Sequence, residues 1–197
     1  MNHLPLILAS SSIGRQKLLS SLQIPFKIII PDIDETPELN ETPTDLVMRL
    51  AEQKARKVAS ETENALIIGS DQVCFLNEEC VSKPLTRDNA IAQLSAASGR
   101  TICFYTGLCL LNTQTQKCQL TVDVTKATFR TLSLLEIETY IDRENPLHCA
   151  GSFNAEGLGM GLFEKLSADD PSAIIGLPLI ALARMLRAEQ VNILLTI

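Results

Sequence analysis

The chain has 197 residues, 46% of them hydrophobic and 20% charged, with a net charge of −6. That content supports a buried core and excludes a disordered chain. The acidic balance argues against a broad nucleic-acid or anionic-membrane surface, and the absence of Trp argues against stacking platforms for long single strands.

No apolar run approaches the ~18 residues of a membrane span. The N-terminus carries no basic n-region or small-residue cleavage site, so a cytoplasmic protein is expected. Cys74, Cys80, Cys103, Cys109, Cys118 and Cys149 form no C-x-x-C, and His3 and His148 sit in no ligand spacing. A zinc site is not expected; free, mostly buried thiols are.

Leu4 to Ala9 reads as an apolar strand feeding Ser10-Ser11-Ser12, with Ser12 the N-cap of a helix from Ile13 to Leu22. A strand, a serine turn and a helix start make an anion site from backbone N–H groups, the Ser10 and Ser12 hydroxyls and the helix dipole. It is not a Walker loop, and three serines that only cap a helix are the alternative. At 100° per residue, Leu18, Leu19 and Leu22 define the inner face and Arg15 falls in the middle of it. An inward guanidinium needs an anion.

Phe26 to Ile30 is a second strand, running into the acidic turn Pro31-Asp32-Ile33-Asp34-Glu35-Thr36-Pro37. Its oxygens suit a divalent metal; a solvated acidic loop is the alternative. From Asp32 it also reads D-x-D-x-T, a phosphatase nucleophile motif, but Pro31 interrupts the strand and no later G-D-x-x-x-D pair follows. Thr44 to Ala59 is the clearest helix, with Leu46, Val47, Leu50, Ala51, Ala55 and Val58 as its apolar stripe. Lys54 lies close to the stripe centre, facing a polar cleft or snorkelling outward.

Ala65 to Ile68 is a buried strand ending in Gly69-Ser70, with Asp71 and Gln72 after it. The carboxyl end of such a strand is where ligands bind in α/β sheets, and Gly69 lets a backbone or phosphate come close. The bland reading of Asp71 is a turn cap. Cys74 to Val81 is a short hairpin arm turning at Asn77-Glu78-Glu79, and Lys83 is either a fixed cation pinned by Pro84 or a surface lysine. Thr86 caps a helix ending at Gly99.

Thr101 to Leu111 and Lys117 to Phe129 form an antiparallel hairpin. Ser133 and Glu136 make a capping box for a helix to Ile141. Glu156 lies in a glycine-bounded loop, and the following Gly157, Gly159 and Gly161 are misplaced for G-x-G-x-x-G. A strand over Leu162 to Leu166 and a helix from Pro178 to Gln190 complete the chain. The pattern is one α/β domain over residues 1–197, in two lobes.

Two acids (Glu35, Asp71), three cations (Arg15, Lys54, Lys83) and a serine-lined helix start suit metal-assisted hydrolysis of a phosphoanhydride. Mg²⁺ or Mn²⁺ on Glu35 or Asp71 would activate water. Asp71 would accept its proton or hold the metal, and the cations would neutralise the pyrophosphate leaving group.

The motifs Leu6-Ile7-Leu8-Ala9-Ser10-x-Ser12-x-x-Arg15, Asp34-Glu35-Thr36, Lys54-Ala55, Gly69-Ser70-Asp71-Gln72-Val73, Lys83-Pro84, Tyr105-Thr106-Gly107, Ala150-Gly151-Ser152-Phe153, Glu156-Gly157 and Gly176-Leu177-Pro178 occur in register. Together they closely resemble the Maf nucleotide pyrophosphatases over nearly the whole chain. The resemblance implies an elongated α/β fold, a mixed central sheet flanked by helices with two lobes around a cleft. It implies a cytoplasmic, often dimeric enzyme that uses a divalent metal to hydrolyse a nucleoside triphosphate to the monophosphate and pyrophosphate, with Asp71 as the catalytic acid residue.

Gly-Ser-Asp-Gln with Glu156 resembles the branch acting on 7-methyl-GTP; the dTTP/UTP branch has Ala-Asp-Thr and Gln at those places. Gln72 and Glu156 are therefore specificity positions. A carboxylate at 156 suits the N1–H and N2–H₂ donors of a cationic methylated guanine. Gly14 is a third such position, standing where that branch carries an aromatic residue. Another NTP, a phosphatase using Asp32, and a nucleotide-binding regulator without turnover are the alternatives.

Overall fold

A computed structural model describes residues 4–77 and 79–195, so His3 and Glu78 lie outside the described residues. Apolar runs and capped amphipathic segments alternate as β1 (Leu6–Ala9), α1 (Ile13–Ser20), β2 (Phe26–Ile29), α2 (Pro43–Ala59), β3 (Leu66–Leu76), β4 (Glu79–Cys80), α3 (Arg87–Ala97), β5 (Thr101–Asn112), β6 (Cys118–Phe129), α4 (Leu134–Glu144), β7 (Phe163–Ser167) and α5 (Leu179–Ala188). Three 3-10 turns, Ala150–Ser152, Leu158–Leu162 and Pro171–Ile175, join the later elements.

The sheet is mixed, in the order β2-β1-β3-β5-β6-β7, with β4 paired to β3. β1 runs parallel to β2 and β3, whereas β3, β5, β6 and β7 pair antiparallel. β5 and β6 each have 12 residues, about 40 Å of strand, and pair along nearly their whole length.

The strand carrying Asp71 does not stop at Ser70. β3 continues to Leu76, because β5 pairs with it from Leu66↔Asn112 to Phe75↔Cys103. β1 ends opposite Gly69. Asp71 is thus mid-strand, just past the end of the parallel pairing, and is no turn cap; an unbroken backbone ladder overrides the poor strand propensity of Gly-Ser-Asp-Gln.

Each face of the sheet is closed by matching stripes. α2 buries Ala51, Ala55 and Val58 against Ile7, Ala9, Ile67 and Leu111. Its start is set by Thr42, whose hydroxyl accepts from Asp45 N, and by Pro43 in the first turn. On the opposite face, Leu19 of α1 and Leu182 and Leu186 of α5 pack on Leu8, Ile68, Leu108 and Leu110. A third cluster, with Leu94 of α3 and Ile137 and Ile141 of α4 on Phe104 and Phe129, fills the far lobe. The Ser133–Glu136 capping box forms as expected, and α4 runs past Ile141 to a left-handed Asn145.

Two glycines let α2 sit directly on the sheet. A Cβ at Gly69 would overlap the Ala51 carbonyl, and one at Gly107 the Val47 carbonyl. The close approach that Gly69 permits is therefore that of the α2 backbone. All six cysteines are free, but only Cys74 and Cys109 are buried and Cys80 is exposed.

Candidate active site

Lys54 is buried in the apolar stripe of α2, as its helical phase predicts. Because Gly69 brings α2 onto β3, the ammonium reaches Asp71, with Nζ 2.6 Å from Oδ1. It also reaches Glu35, with Nζ 2.6 Å from Oε1. The side chains of Lys54 and Asp71 are about nine-tenths buried, whereas Glu35 is 57% exposed. A charge pair so desolvated needs close partners on both sides, and one ammonium serves both carboxylates.

Glu35 is delivered by its loop, which Arg49 of α2 ties down. Arg49 donates Nε to Glu41 Oε1 at 2.6 Å and Nη2 to Glu41 Oε2 at 2.7 Å, a bidentate grip. Its Nη2 also donates to the Thr36 carbonyl at 3.1 Å. Thr36 N donates to Asp34 Oδ1 at 2.9 Å, which closes the turn. Burial pushes the Glu35 carboxyl up, but the Lys54 hydrogen bond and the charges of Lys54, Lys83 and Arg15 outweigh it and hold Glu35 below its ordinary value. Asp32 is exposed, three residues beyond β2.

Arg15 is half-buried on α1. Its Nε donates to the Gly176 carbonyl at 2.8 Å, and Nη1 lies 3.5 Å from Ser10 Oγ. Desolvation lowers its pKa, opposed by the negative charges of Asp71 and Glu35. Ser10 is buried and accepts from Ser12 N at 3.1 Å, while Ser12 Oγ caps Arg15 N at 3.3 Å. The first-turn N–H groups of Ile13 and Gly14 have no partner within the helix. Lys83 is exposed in the loop before α3, and its charge is felt at both Glu35 and Cys149.

Glu156 and Gly14 meet at the other side of α1. A Cβ on Gly14 would come 3.0 Å from Glu156 Oε2 and 3.2 Å from Ile175 Cγ2. Glu156 Oε1 pairs with the exposed Lys17 at 3.1 Å, a surface contact worth about 0–1 kcal/mol.

Gln72 belongs to neither cluster. Side chains alternate along a strand, so Gly69 and Asp71 face α2 while Ser70 and Gln72 face the Pro171–Ile175 turn. Gln72 Nε2 donates to Thr106 Oγ1 at 2.9 Å and to the Ala173 carbonyl at 2.8 Å, with the Ile174 carbonyl at 3.3 Å. The structure thus brings together Arg15, Glu35, Lys54 and Asp71, with Lys83 within electrostatic reach, and pairs Gly14 with Glu156. It sets Gln72 against protein carbonyls. Ser70 and Thr106 are polar, buried and missed by reading the sequence for ligands; the signal was their place beside Gln72 on one face of adjacent strands.

Fold and cluster define an α/β protein in which one buried lysine joins two carboxylates close to an arginine. The chain belongs to the Maf-like protein family, whose profile matches residues 5–189. It is 52% identical over 96% of its length to a 7-methyl-GTP pyrophosphatase of Aliivibrio fischeri (strain ATCC 700601 / ES114), of which it covers 98%. It is 50% identical over 98% of its length to a 7-methyl-GTP pyrophosphatase of Vibrio cholerae serotype O1 (strain ATCC 39315 / El Tor Inaba N16961), covering all of it. A crystal structure of a nucleoside-triphosphatase / dITP/XTP pyrophosphatase from Mycobacterium abscessus aligns with TM-score 0.41 and 15% identity, over 66% of this chain and 76% of that one.

Proposed function

We propose that this chain hydrolyses the α–β phosphoanhydride of 7-methyl-GTP to 7-methyl-GMP and diphosphate. The observation that carries the reading is the Glu35–Lys54–Asp71 cluster beside Arg15, in a family whose full-length relatives bear that activity in their names. Asp71 is the proton acceptor for the attacking water. Its carboxylate is held by Lys54, so it remains oriented before substrate arrives. Arg15, Lys54 and Lys83 face the charge that grows on the diphosphate leaving group, and Ser10, Ser12 and the α1 N-terminus cradle the phosphates.

Glu35 and Asp71 are the residues to hold a divalent metal. Two hard carboxylates already converging on one cation fit Mg²⁺ or Mn²⁺, which take few protein carboxylates and complete their shell with water and phosphate oxygens. Among the described residues no cage of three or more His, Cys, Asp or Glu forms, which agrees with a site shared with substrate. When bound, such a metal supplies Lewis acidity at the phosphoryl oxygens and lowers the pKa of water.

Glu156 accepts N1–H and N2–H₂ of the methylated guanine, whose positive charge its carboxylate favours. Lys17 is 64% exposed and yields its place at little cost. Gly14 places no side chain between α1 and Glu156, whose Oε2 would lie 3.0 Å from a Cβ there. Six free cysteines accord with a reducing cytoplasm, and among the described residues no helix is long and apolar enough to cross a membrane. A homodimer completes the reading, as the family resemblance implies.

The test is a panel of 7-methyl-GTP, GTP, dTTP and UTP with Mg²⁺ or Mn²⁺, resolving diphosphate from inorganic phosphate. Diphosphate and 7-methyl-GMP are expected, with 7-methyl-GTP preferred by at least about tenfold, the weight of one charge-assisted hydrogen bond. Release of inorganic phosphate alone overturns the reaction, and an equal rate on dTTP or UTP overturns the substrate.

A further inference from the structure

The Pro171–Ile175 turn is held by a row of polar side chains from three strands. Ser70 and Gln72 come from β3, Thr106 from β5 and Asp123 from β6, and the register places Gln72 opposite Thr106 and Thr106 opposite Asp123. Asp123 Oδ2 accepts from Asp170 N at 3.0 Å. Thr106 Oγ1 donates to the Ala173 carbonyl at 3.1 Å. Ser70 Oγ lies 2.8 Å from both the Gly176 and Gly107 carbonyls, which its single hydrogen serves in turn.

What the turn presents outward is the substrate side. Gly176 sits at φ +110, a backbone shape that strains other residues, and its carbonyl accepts from Arg15 Nε. Ile175 packs against α1 at Gly14, its Cγ2 3.2 Å from where a Cβ there would stand. Arg15 therefore takes its orientation from a carbonyl whose position is set beneath the turn.

Gln72 is the centre of the row. Its two amide hydrogens go to Thr106 and Ala173, the second shared with Ile174. Those hydrogens are committed, so Gln72 has none to give a base. We infer that Gln72 is a positioning residue, fixing the Pro171–Ile175 turn so that Gly176 aims Arg15 at the phosphates and Ile175 shapes the base side of the cleft. This rests on the proposed pyrophosphatase reading for its kinetic arm, and on Arg15 as an anion site for its binding arm.

Gln72→Met keeps the length and removes both donors. Binding of inorganic diphosphate, measured by calorimetry, should weaken about tenfold, the weight of one hydrogen bond to a charged group. In an Arg15→Ala background the same substitution should change it by less than about threefold, as expected when two residues act as one unit. An undiminished loss in that background, or no diphosphate binding by the unaltered protein, overturns the inference.

The kinetic constants supply a second readout. In Gln72→Met the loss should fall on KM for 7-methyl-GTP, about tenfold, as expected when uniform binding of the phosphates is weakened. A purely structural role would lower Tm and leave the KM of the folded enzyme unchanged, which would overturn the inference. If the unaltered protein releases no diphosphate from any nucleotide, the pyrophosphatase reading fails while the calorimetric arm still decides the role of Gln72.

Discussion

Lys54 Nζ stands 2.6 Å from Asp71 Oδ1, seventeen residues apart in sequence and both nearly buried. Replacing Lys54 with Met leaves Asp71 an unpaired carboxylate in low dielectric. Breaking such a pair from one side costs about 3–5 kcal/mol, so Tm should fall by roughly 10 °C for a chain of this size. Glu35 responds as well. Held below its ordinary pKa, it contributes stability above its unfolded-state pKa and loses that contribution as pH falls through the folded value. In Lys54→Met this acid-side loss should shrink, which thermal melts across acidic pH will register.

Asp71→Asn keeps the shape of the side chain and removes the proton acceptor. The turnover number on 7-methyl-GTP should drop about 10³-fold, within the range for a general base. Asp32→Asn should leave turnover within about twofold, as expected for an exposed surface position. Steady-state kinetics of both variants separate the present reading from a phosphatase that uses Asp32.

Gly69→Ala tests how α2 is seated. The added carbon meets the Ala51 carbonyl and comes 3.0 Å from Ala55 N. Backbone cannot yield as a side-chain tip can, so the helix must lift, at a cost of about 3 kcal/mol or more. Activity should fall with stability, because Lys54 rides on that helix. Gly161→Ala is the control, since nothing lies within 4 Å of its added carbon. Urea unfolding of the two variants provides the comparison.

Glu156→Gln should preserve turnover and lose selectivity. Removing one charge from a hydrogen bond to a cationic base costs about 1.5–3 kcal/mol. The preference for 7-methyl-GTP over UTP should therefore fall by roughly 10–100-fold, read as the ratio of the two kcat/KM values.

Much of the charged cluster is legible in local phase. Lys54 and Arg15 are inward because of where they fall at 100° per residue, and the Ser12 and Ser133 caps fix helix starts from short-range chemistry. Gln72 stands out in the sequence only through the family resemblance, since a strand's period gives its two faces but not what covers them. Only the fold brings residues 173 and 174 over position 72. The length of β3 escaped for the same reason: its ladder with β5 is nonlocal, and Gly-Ser-Asp-Gln gives no local sign of a strand. Arg49, the tether of the acidic loop, lies outside the apolar stripe, where sequence alone suggests a solvated cation.

Asp71 and Gln72 are neighbours on one strand and face opposite sides of the sheet. The strand thereby tolerates exchange of side chains on either side but no change in count. Inserting a single residue between Gly69 and Asp71 would turn the carboxylate towards the Pro171–Ile175 turn and strand Lys54. A substitution on one face of β3 therefore leaves the other face in place, while a change of length carries every side chain beyond it to the opposite face.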